Sequence, residues 1–283
     1  MFLVTGATGN VGRHVVSQLS STGAAVRALT RDPGAARLPD GVEVVRGDLS
    51  EPGGLGAALA GVESVFLVWP TLSADHAAPA TLETIAKHAR RVVYLSARGV
   101  PDASEDQTAE SILGSHARIE RLIERSGMEW TFLRPGGFAT NTLAWAPQIR
   151  AGGVVRWIHG KAGRSLIHER DIAAVAARVL TEDGHATKKY ELTGPETLTQ
   201  IEQVHAIGTA IGRPLRFEEF SLDAARQQML AQGMPPDLVD PILNGHAAMV
   251  SDPESVTDAV EELTGTPART YLQWAIDHAD DFR

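Results

Sequence analysis

Met1-Phe2-Leu3-Val4-Thr5-Gly6-Ala7-Thr8-Gly9-Asn10-Val11-Gly12 is the stretch on which the reading of this chain turns. A short apolar run, Phe2 to Val4, meets glycines at 6, 9 and 12, and Val11, Val15, Val16 and Leu19 then recur at helical spacing. Strand, glycine turn and helix in that order is the context in which such a motif signals a dinucleotide. Gly6 lets the chain turn off the strand, Gly9 brings bare backbone up to a pyrophosphate, and Gly12 lets the helix close on the sheet. The helix amides and the positive dipole end then hold phosphates, which makes Gly6, Thr8, Gly9, Asn10, Val11 and Gly12 candidate cofactor contacts. The competing reading is an ordinary tight strand-to-helix turn.

The spacing is G-x-x-G-x-x-G, not G-x-G-x-x-G. Thr5 to Gly12 resembles the extended and atypical short-chain dehydrogenase/reductases, most closely the NmrA-like group. Val256 to Gly265 and Pro267 to Tyr271 resemble that group's C-terminal tail, so the resemblance spans nearly the whole chain. It implies an NAD(P)H-binding protein similar to the bacterial NADPH:quinone reductases.

Composition narrows the field. The chain has 283 residues, 43% hydrophobic and 22% charged, which suits one large α/β domain or a large domain with a smaller lobe. A net charge of −9 argues against nucleic-acid binding. No apolar run reaches the length of a membrane span, and the start does not read as a signal peptide. The absence of cysteine excludes disulfides, thiolate metal sites and cysteine nucleophiles, and fits a cytoplasmic protein. No metal site is expected, because His168 and Glu169 lack a third ligand at fitting spacing.

Strands at Ala25–Thr30, Val42–Arg46, Val65–Val68, Val92–Ser96 and Trp130–Pro135 alternate with helical patterns. That alternation predicts a Rossmann-like, doubly wound parallel sheet. Residues 1–150 are expected to form the NAD(P)-binding domain, and 151–283 the late sheet elements and a smaller C-terminal substrate lobe. After the second strand, Thr30-Arg31-Asp32 places an arginine where NAD-specific folds keep an acid. A planar guanidinium suits a 2′-phosphate, so NADPH is the expected cofactor, with a solvated loop arginine as the alternative. The resemblance places Asp48-Leu49 beside the adenine; Asp48 taken alone reads equally as a helix cap. Val68, Trp69 and Pro70 lie at a strand's carboxyl end, where open α/β sheets bind ligands. Trp69 there reads either as a wall for the nicotinamide or as a core aromatic.

A helix is expected over roughly 107–125. Ile112, His116, Ile119 and Ile123 define its inward stripe, and Glu120 stands one turn beyond His116. Short-chain dehydrogenases of the common type carry Tyr-x-x-x-Lys on this helix, the lysine lowering the tyrosine pKa. None of Tyr94, Tyr190 or Tyr271 has a lysine four residues on. His-x-x-x-Glu at this place recurs in NmrA-like proteins, which implies that Glu120 supports His116, which faces the nicotinamide or donates to a substrate carbonyl. The other reading is a surface helix pair. Gly136-Gly137-Phe138 and Asn141 resemble the family's R-P-G-x-F-x-x-N loop on the substrate side, with Phe138 as plain core the alternative.

Two functions follow. The first is an NADPH-dependent oxidoreductase acting on a quinone or similar flat carbonyl compound, a small-molecule substrate that depends less on a tyrosine acid. The second is a non-catalytic NADP(H)-sensing regulator of the NmrA-like type, acting through a regulatory protein partner. The sequence leaves a homodimer equally open.

Overall fold

The computed structural model describes residues 1–70, 72–102, 111–231 and 233–283. Its strands are β1 (Phe2–Val4), β2 (Val26–Thr30), β3 (Glu43–Arg46), β4 (Ser64–Leu67), β5 (Arg91–Leu95), β6 (Glu129–Pro135), β7 (Val154–Trp157), β8 (Gly163–Arg164), β9 (Lys188–Leu192), β10 (Leu198–Thr199) and β11 (Arg216–Glu219). The helices are α1 (Gly12–Ser21), α2 (Gly56–Leu59), α3 (Ala78–Ala86), α4 (Ile112–Glu124), α5 (Ala146–Gly152), α6 (Glu169–Thr181), α7 (Gln200–Ile211), α8 (Leu222–Ala231), α9 (Pro236–Ser251), α10 (Ala259–Thr264), α11 (Tyr271–Asp277) and α12 (Ala279–Phe282).

Seven strands form one sheet in the order β3-β2-β1-β4-β5-β6-β9, every neighbouring pair parallel. This is the doubly wound α/β fold that the alternating pattern predicts. The strand order reverses between β1 and β4, and ligands of such sheets bind in the crevice beyond the carboxyl ends at that point. β4 and β5 are buried along their whole length, which explains runs such as Val65-Phe66-Leu67 with no polar alternation. Val15, Val16 and Leu19 of α1 are completely buried. Each contributes on the order of 1.5–3 kcal/mol on leaving water.

The chain divides differently from the expected boundary at 150. One compact unit comprises 1–135, 169–192 and 259–266; the other comprises 136–168, 193–258 and 267–283. The first therefore ends its opening segment with β6, and the chain returns to it for α6 and β9 and again for α10. The reason is topological. β9 pairs with β6 as the outermost parallel strand, and α6 packs beside α1, so both belong to the sheet despite their late place in the sequence. The second unit contains two small ribbons, β7 with β11 and β8 with β10. Its own core is built on Trp145, Ile149, Val204, Ile207, Tyr271, Trp274 and Phe282.

α6 starts at Glu169, with Asp171 in its first turn. Thr199 caps α7 through a reciprocal capping box with Glu202. In α4 the buried face runs through Ser115, Ile119, Glu120 and Ile123, while Ile112 is 45% exposed. The inward face includes polar residues whose partners lie on other elements, which apolar periodicity does not register. The expected helix start at 107 lies outside the described residues.

Candidate functional site

The carboxyl ends of β1 to β4 open on a cleft of about 330 Å3. Gly6 and Thr8 from the glycine turn line it, together with Arg31, Asp48, Leu49, Val68 and Pro70 from the ends of β2, β3 and β4. Gly6 takes φ +58, the left-handed region open to glycine. At Gly12 a Cβ would drive into the Gly6 carbonyl and come within 2.7 Å of its carbon, so α1 seats on the turn only without a side chain. Gly9, Asn10, Val11 and Gly12 form this turn and are not wall residues. Val11 stands at the helix cap with no side-chain hydrogen bond, and the Arg13 and His14 amides of the first turn donate back to the Gly9 and Val11 carbonyls. The Thr5 hydroxyl accepts from the Val68 N–H at 2.7 Å, tying β1 to the end of β4. A bare turn, an uncapped helix and an adjoining cleft of this size fit a dinucleotide.

The β2 tip sorts its two charges. The Asp32 carboxylate accepts from the Gly34 N–H at 3.1 Å and caps the turn Pro33–Ala35. The Thr30 hydroxyl accepts from the Asp32 N–H at 3.2 Å. Across the cleft mouth, Asp48 makes a local turn rather than a helix cap: it accepts from the Ser50 N–H at 2.9 Å and the Ser50 hydroxyl at 2.8 Å. Those bonds, and less strongly the Arg31 charge, lower its pKa. Sequence reading missed Leu29, Thr30, Asp32, Ala35 and Gly47, which also line the cleft. Their contribution depends on how β2 and β3 end side by side, for which no single residue is a marker.

Beyond β4, Trp69 turns toward protein. Its indole N–H donates to Asp75 at 2.9 Å, and the ring packs on the core cluster beneath the sheet. The other Asp75 oxygen accepts from the Ser115 hydroxyl of α4 at 2.7 Å. Of the two readings offered for Trp69, these contacts match the core aromatic.

His116 is half-buried, and its Nδ1 meets the Tyr94 hydroxyl of β5 at 2.6 Å. Burial, opposed by Asp75, holds the imidazole pKa down at about 4. Burial first, then the charges of Glu120 and Asp75, push the Tyr94 phenol well above its ordinary value. Both groups are therefore neutral near pH 7. Either tautomer satisfies this contact; with Tyr94 as the donor, the ring proton sits on Nε2. Sequence reading had weighed Tyr94 only for its missing lysine. A tyrosine inside a wholly buried strand was the available signal, because its hydroxyl needs a partner there.

The expected support of His116 by Glu120 is not made. Glu120 is 3% exposed and accepts from Arg134 Nε at 3.0 Å and Nη2 at 2.6 Å. Its first oxygen also accepts from the Ser96 hydroxyl at 2.5 Å. A bidentate arginine one strand away outcompetes a neutral imidazole one helical turn away, since charge-assisted pairs are the stronger. Glu120 thus joins α4 to β5 and β6.

Phe138 and Asn141 lie in the second unit. Phe138 is half-buried and bridges in parallel register to Ile167; Asn141 is exposed. Among the described residues no group of three or more His, Asp or Glu side chains could hold a metal. No helix among them is long and apolar enough to cross a membrane.

Fold and cleft together define a dinucleotide-binding protein. A family model described as NAD(P)H-binding matches residues 6–183. The (4-alkanoyl-5-oxo-2,5-dihydrofuran-3-yl)methyl phosphate reductase of Streptomyces griseus subsp. griseus is 41% identical over all of this chain and 99% of its own. The NAD(P)H azoreductase of Xenophilus azovorans is 38% identical with the same coverage. The crystal structure of an NADPH-dependent quinone oxidoreductase from Escherichia coli aligns with a TM-score of 0.79 at 25% identity, over 97% of this chain and 98% of that one. The chain belongs to the NAD(P)H-binding family. It is an NAD(P)H-dependent oxidoreductase, resembling the atypical quinone reductases.

Proposed function

We propose that the protein is an NADPH-dependent reductase of a quinone or similar flat, conjugated carbonyl compound. The observation that carries this reading is the 2.6 Å Tyr94–His116 hydrogen bond; with Tyr94 as its donor, the neutral imidazole keeps Nε2–H to offer to an acceptor. The bound dinucleotide supplies the hydride. A neutral imidazole is a weak acid near neutrality and acts chiefly as a hydrogen-bond donor that stabilises a developing oxyanion. Quinones and conjugated carbonyls accept a hydride to give delocalised, weakly basic oxyanions, so a hydrogen-bond donor suffices and water completes the protonation. Tyr94 is the positioning residue, setting the tautomer and the ring orientation.

Cofactor choice follows from the β2 tip. Arg31 and Asp32 both line the cleft, but the Asp32 carboxylate is engaged by the Gly34 N–H of the Pro33 turn, which favours a 2′-phosphate on Arg31 over a free ribose hydroxyl. Gly9 to Gly12 would hold the pyrophosphate, with Asp48 and Leu49 beside the adenine. Phe138 and Asn141 are proposed to contact the acceptor. The relatives' named substrates, an azo compound and an alkanoyl-oxo-dihydrofuran phosphate, support an unsaturated acceptor.

The test is anaerobic oxidation of NADPH and NADH against benzo- and naphthoquinones. Saturable NADPH oxidation is expected, with Arg31→Ala raising the KM for NADPH about 10- to 100-fold and that for NADH little. His116→Ala should lower kcat with little change in cofactor KM. Tight NADPH binding without turnover on any acceptor of this class would overturn the proposal and return the sensor reading.

A further inference from the structure

The second unit gathers nitrogen-bearing side chains that the reductase reading does not use. His159 follows β7, Arg164 lies in β8 and His246 in α9. His159 Nε2, Arg164 Nε and His246 Nδ1 are all buried without a hydrogen-bond partner. A buried donor left in that state costs about 1–3 kcal/mol, and three in one neighbourhood call for a reason. They do share a neighbourhood, since Arg164 and His159 both act electrostatically on His246 and, after burial, hold its pKa down at about 4. Trp157 packs edge-on against the His246 ring at 6.3 Å between centroids.

The backbone is arranged around the cluster at some expense. His159 adopts φ +50, a conformation rare outside glycine and asparagine. It is clamped there by its own N–H donating to Glu219 at 2.7 Å and by its carbonyl accepting from the Gln200 amide at 2.9 Å. Arg164 lies against Gly137, where a Cβ would come within 2.8 Å of the guanidinium carbon. Gly137 opens the loop carrying Phe138 and Asn141, so the arginine sits beside the segment assigned to the acceptor.

The nearby carboxylates do not satisfy these nitrogens. Glu254 accepts from Arg164 Nη2 at 3.2 Å and from the Ser165 N–H at 3.0 Å, leaving Nε aside. Glu219 is committed to the His159 and Gly160 backbone N–H groups, at 2.7 and 3.1 Å. What these three neighbouring nitrogens lack is a partner with several acceptor oxygens. A phosphate group offers that, and an arginine beside two imidazoles is a chemistry suited to it.

We propose that Arg164, His159 and His246 form an oxyanion site in the second unit that takes a phosphate group, carried by the acceptor molecule. The identity of the carrier rests on the reductase reading; the anion site does not.

The test uses the full-length protein with saturating NADP+, so that the cofactor cleft is occupied, and calorimetric titration with inorganic phosphate, phenyl phosphate and phenol. Saturable phosphate binding is expected, weakened at least about tenfold by Arg164→Gln and by His159→Asn. Asparagine tolerates the left-handed backbone, and His246→Gln provides a third variant should Arg164→Gln fail to fold. Phenyl phosphate binding more tightly than inorganic phosphate, with phenol not binding, would identify the anion as part of a larger ligand; equal binding would make free phosphate the ligand. In the histidine NMR spectrum, phosphate should move the His246 resonances of the wild type. No binding, or binding indifferent to folded variants at all three positions, overturns the inference. Because the titration reads no turnover, a failed reductase assay leaves it standing, and an active reductase without phosphate binding sinks this inference alone.

Discussion

Replacing Glu120 by glutamine separates a structural carboxylate from a catalytic one. The side chain is almost completely buried, forks onto Arg134 through contacts of 3.0 and 2.6 Å, and accepts from Ser96. Glutamine keeps the shape and one acceptor but loses the charge, leaving the Arg134 guanidinium, itself 5% exposed, without its main counter-ion. Breaking a buried pair from one side costs roughly 3–5 kcal/mol. Asp102 touches the same Arg134 nitrogen at 3.0 Å but is largely exposed, so it recovers only part of that cost. The lower end of the range, about 3 kcal/mol, is therefore expected, which for a chain of this size lowers Tm by roughly 6–12 °C. The assay is a thermal melt beside steady-state kinetics at a temperature where the variant is folded. Turnover should stay within about threefold of wild type, because His116 takes its hydrogen bond from Tyr94. A variant that melts with the wild type yet loses turnover as His116→Ala does would refute this assignment and make Glu120 part of the chemistry.

Three further outcomes follow from the same geometry. Tyr94→Phe should lower kcat about 5- to 30-fold, the worth of one buried hydrogen bond, with NADPH KM unchanged, and NMR should show the His116 tautomers mixed; an unchanged kcat would remove Tyr94 from the mechanism. Gly12→Ala should abolish cofactor binding and cost at least about 1–3 kcal/mol, read by fluorescence titration and melting, because its methyl meets only the backbone of Gly6 and Ala7, which cannot swing aside; retained affinity would contradict the seating of α1. His116 and His246, held at about 4 against 6.5, bind protons more readily in the unfolded chain, so stability is full above 6.5 and falls as the pH drops toward 4. Each contributes at most about 3 kcal/mol to that loss, and His116→Gln should flatten the slope of urea-derived stability against pH over this interval.

The glycine turn, the alternation of strand and helix, and the tip at Thr30-Arg31-Asp32 were legible in order along the chain. Each is a local statement: a backbone that must turn or approach closely, a period of two or 3.6, a charge at the end of a strand. The cleft residues at 6, 8, 31, 68 and 70 followed from those statements and those at 48 and 49 from the family resemblance, and all of them line one cleft. The His116 environment did not follow. Spacing on α4 puts Glu120 beside His116, yet Arg134 arrives from β6 and claims it, and Tyr94 arrives from β5 and claims His116. Which of several polar partners a buried group takes depends on strands adjacent in the sheet and distant in the chain. The same holds for His159, Arg164 and His246, unremarkable apart and gathered by two small ribbons and a helix. By itself, then, the sequence determined the dinucleotide fold and its cofactor turn, because short-range backbone geometry sets both. The tertiary structure alone decided the pairing of buried charges and hydroxyls, because desolvation makes each group choose among neighbours that only folding brings together.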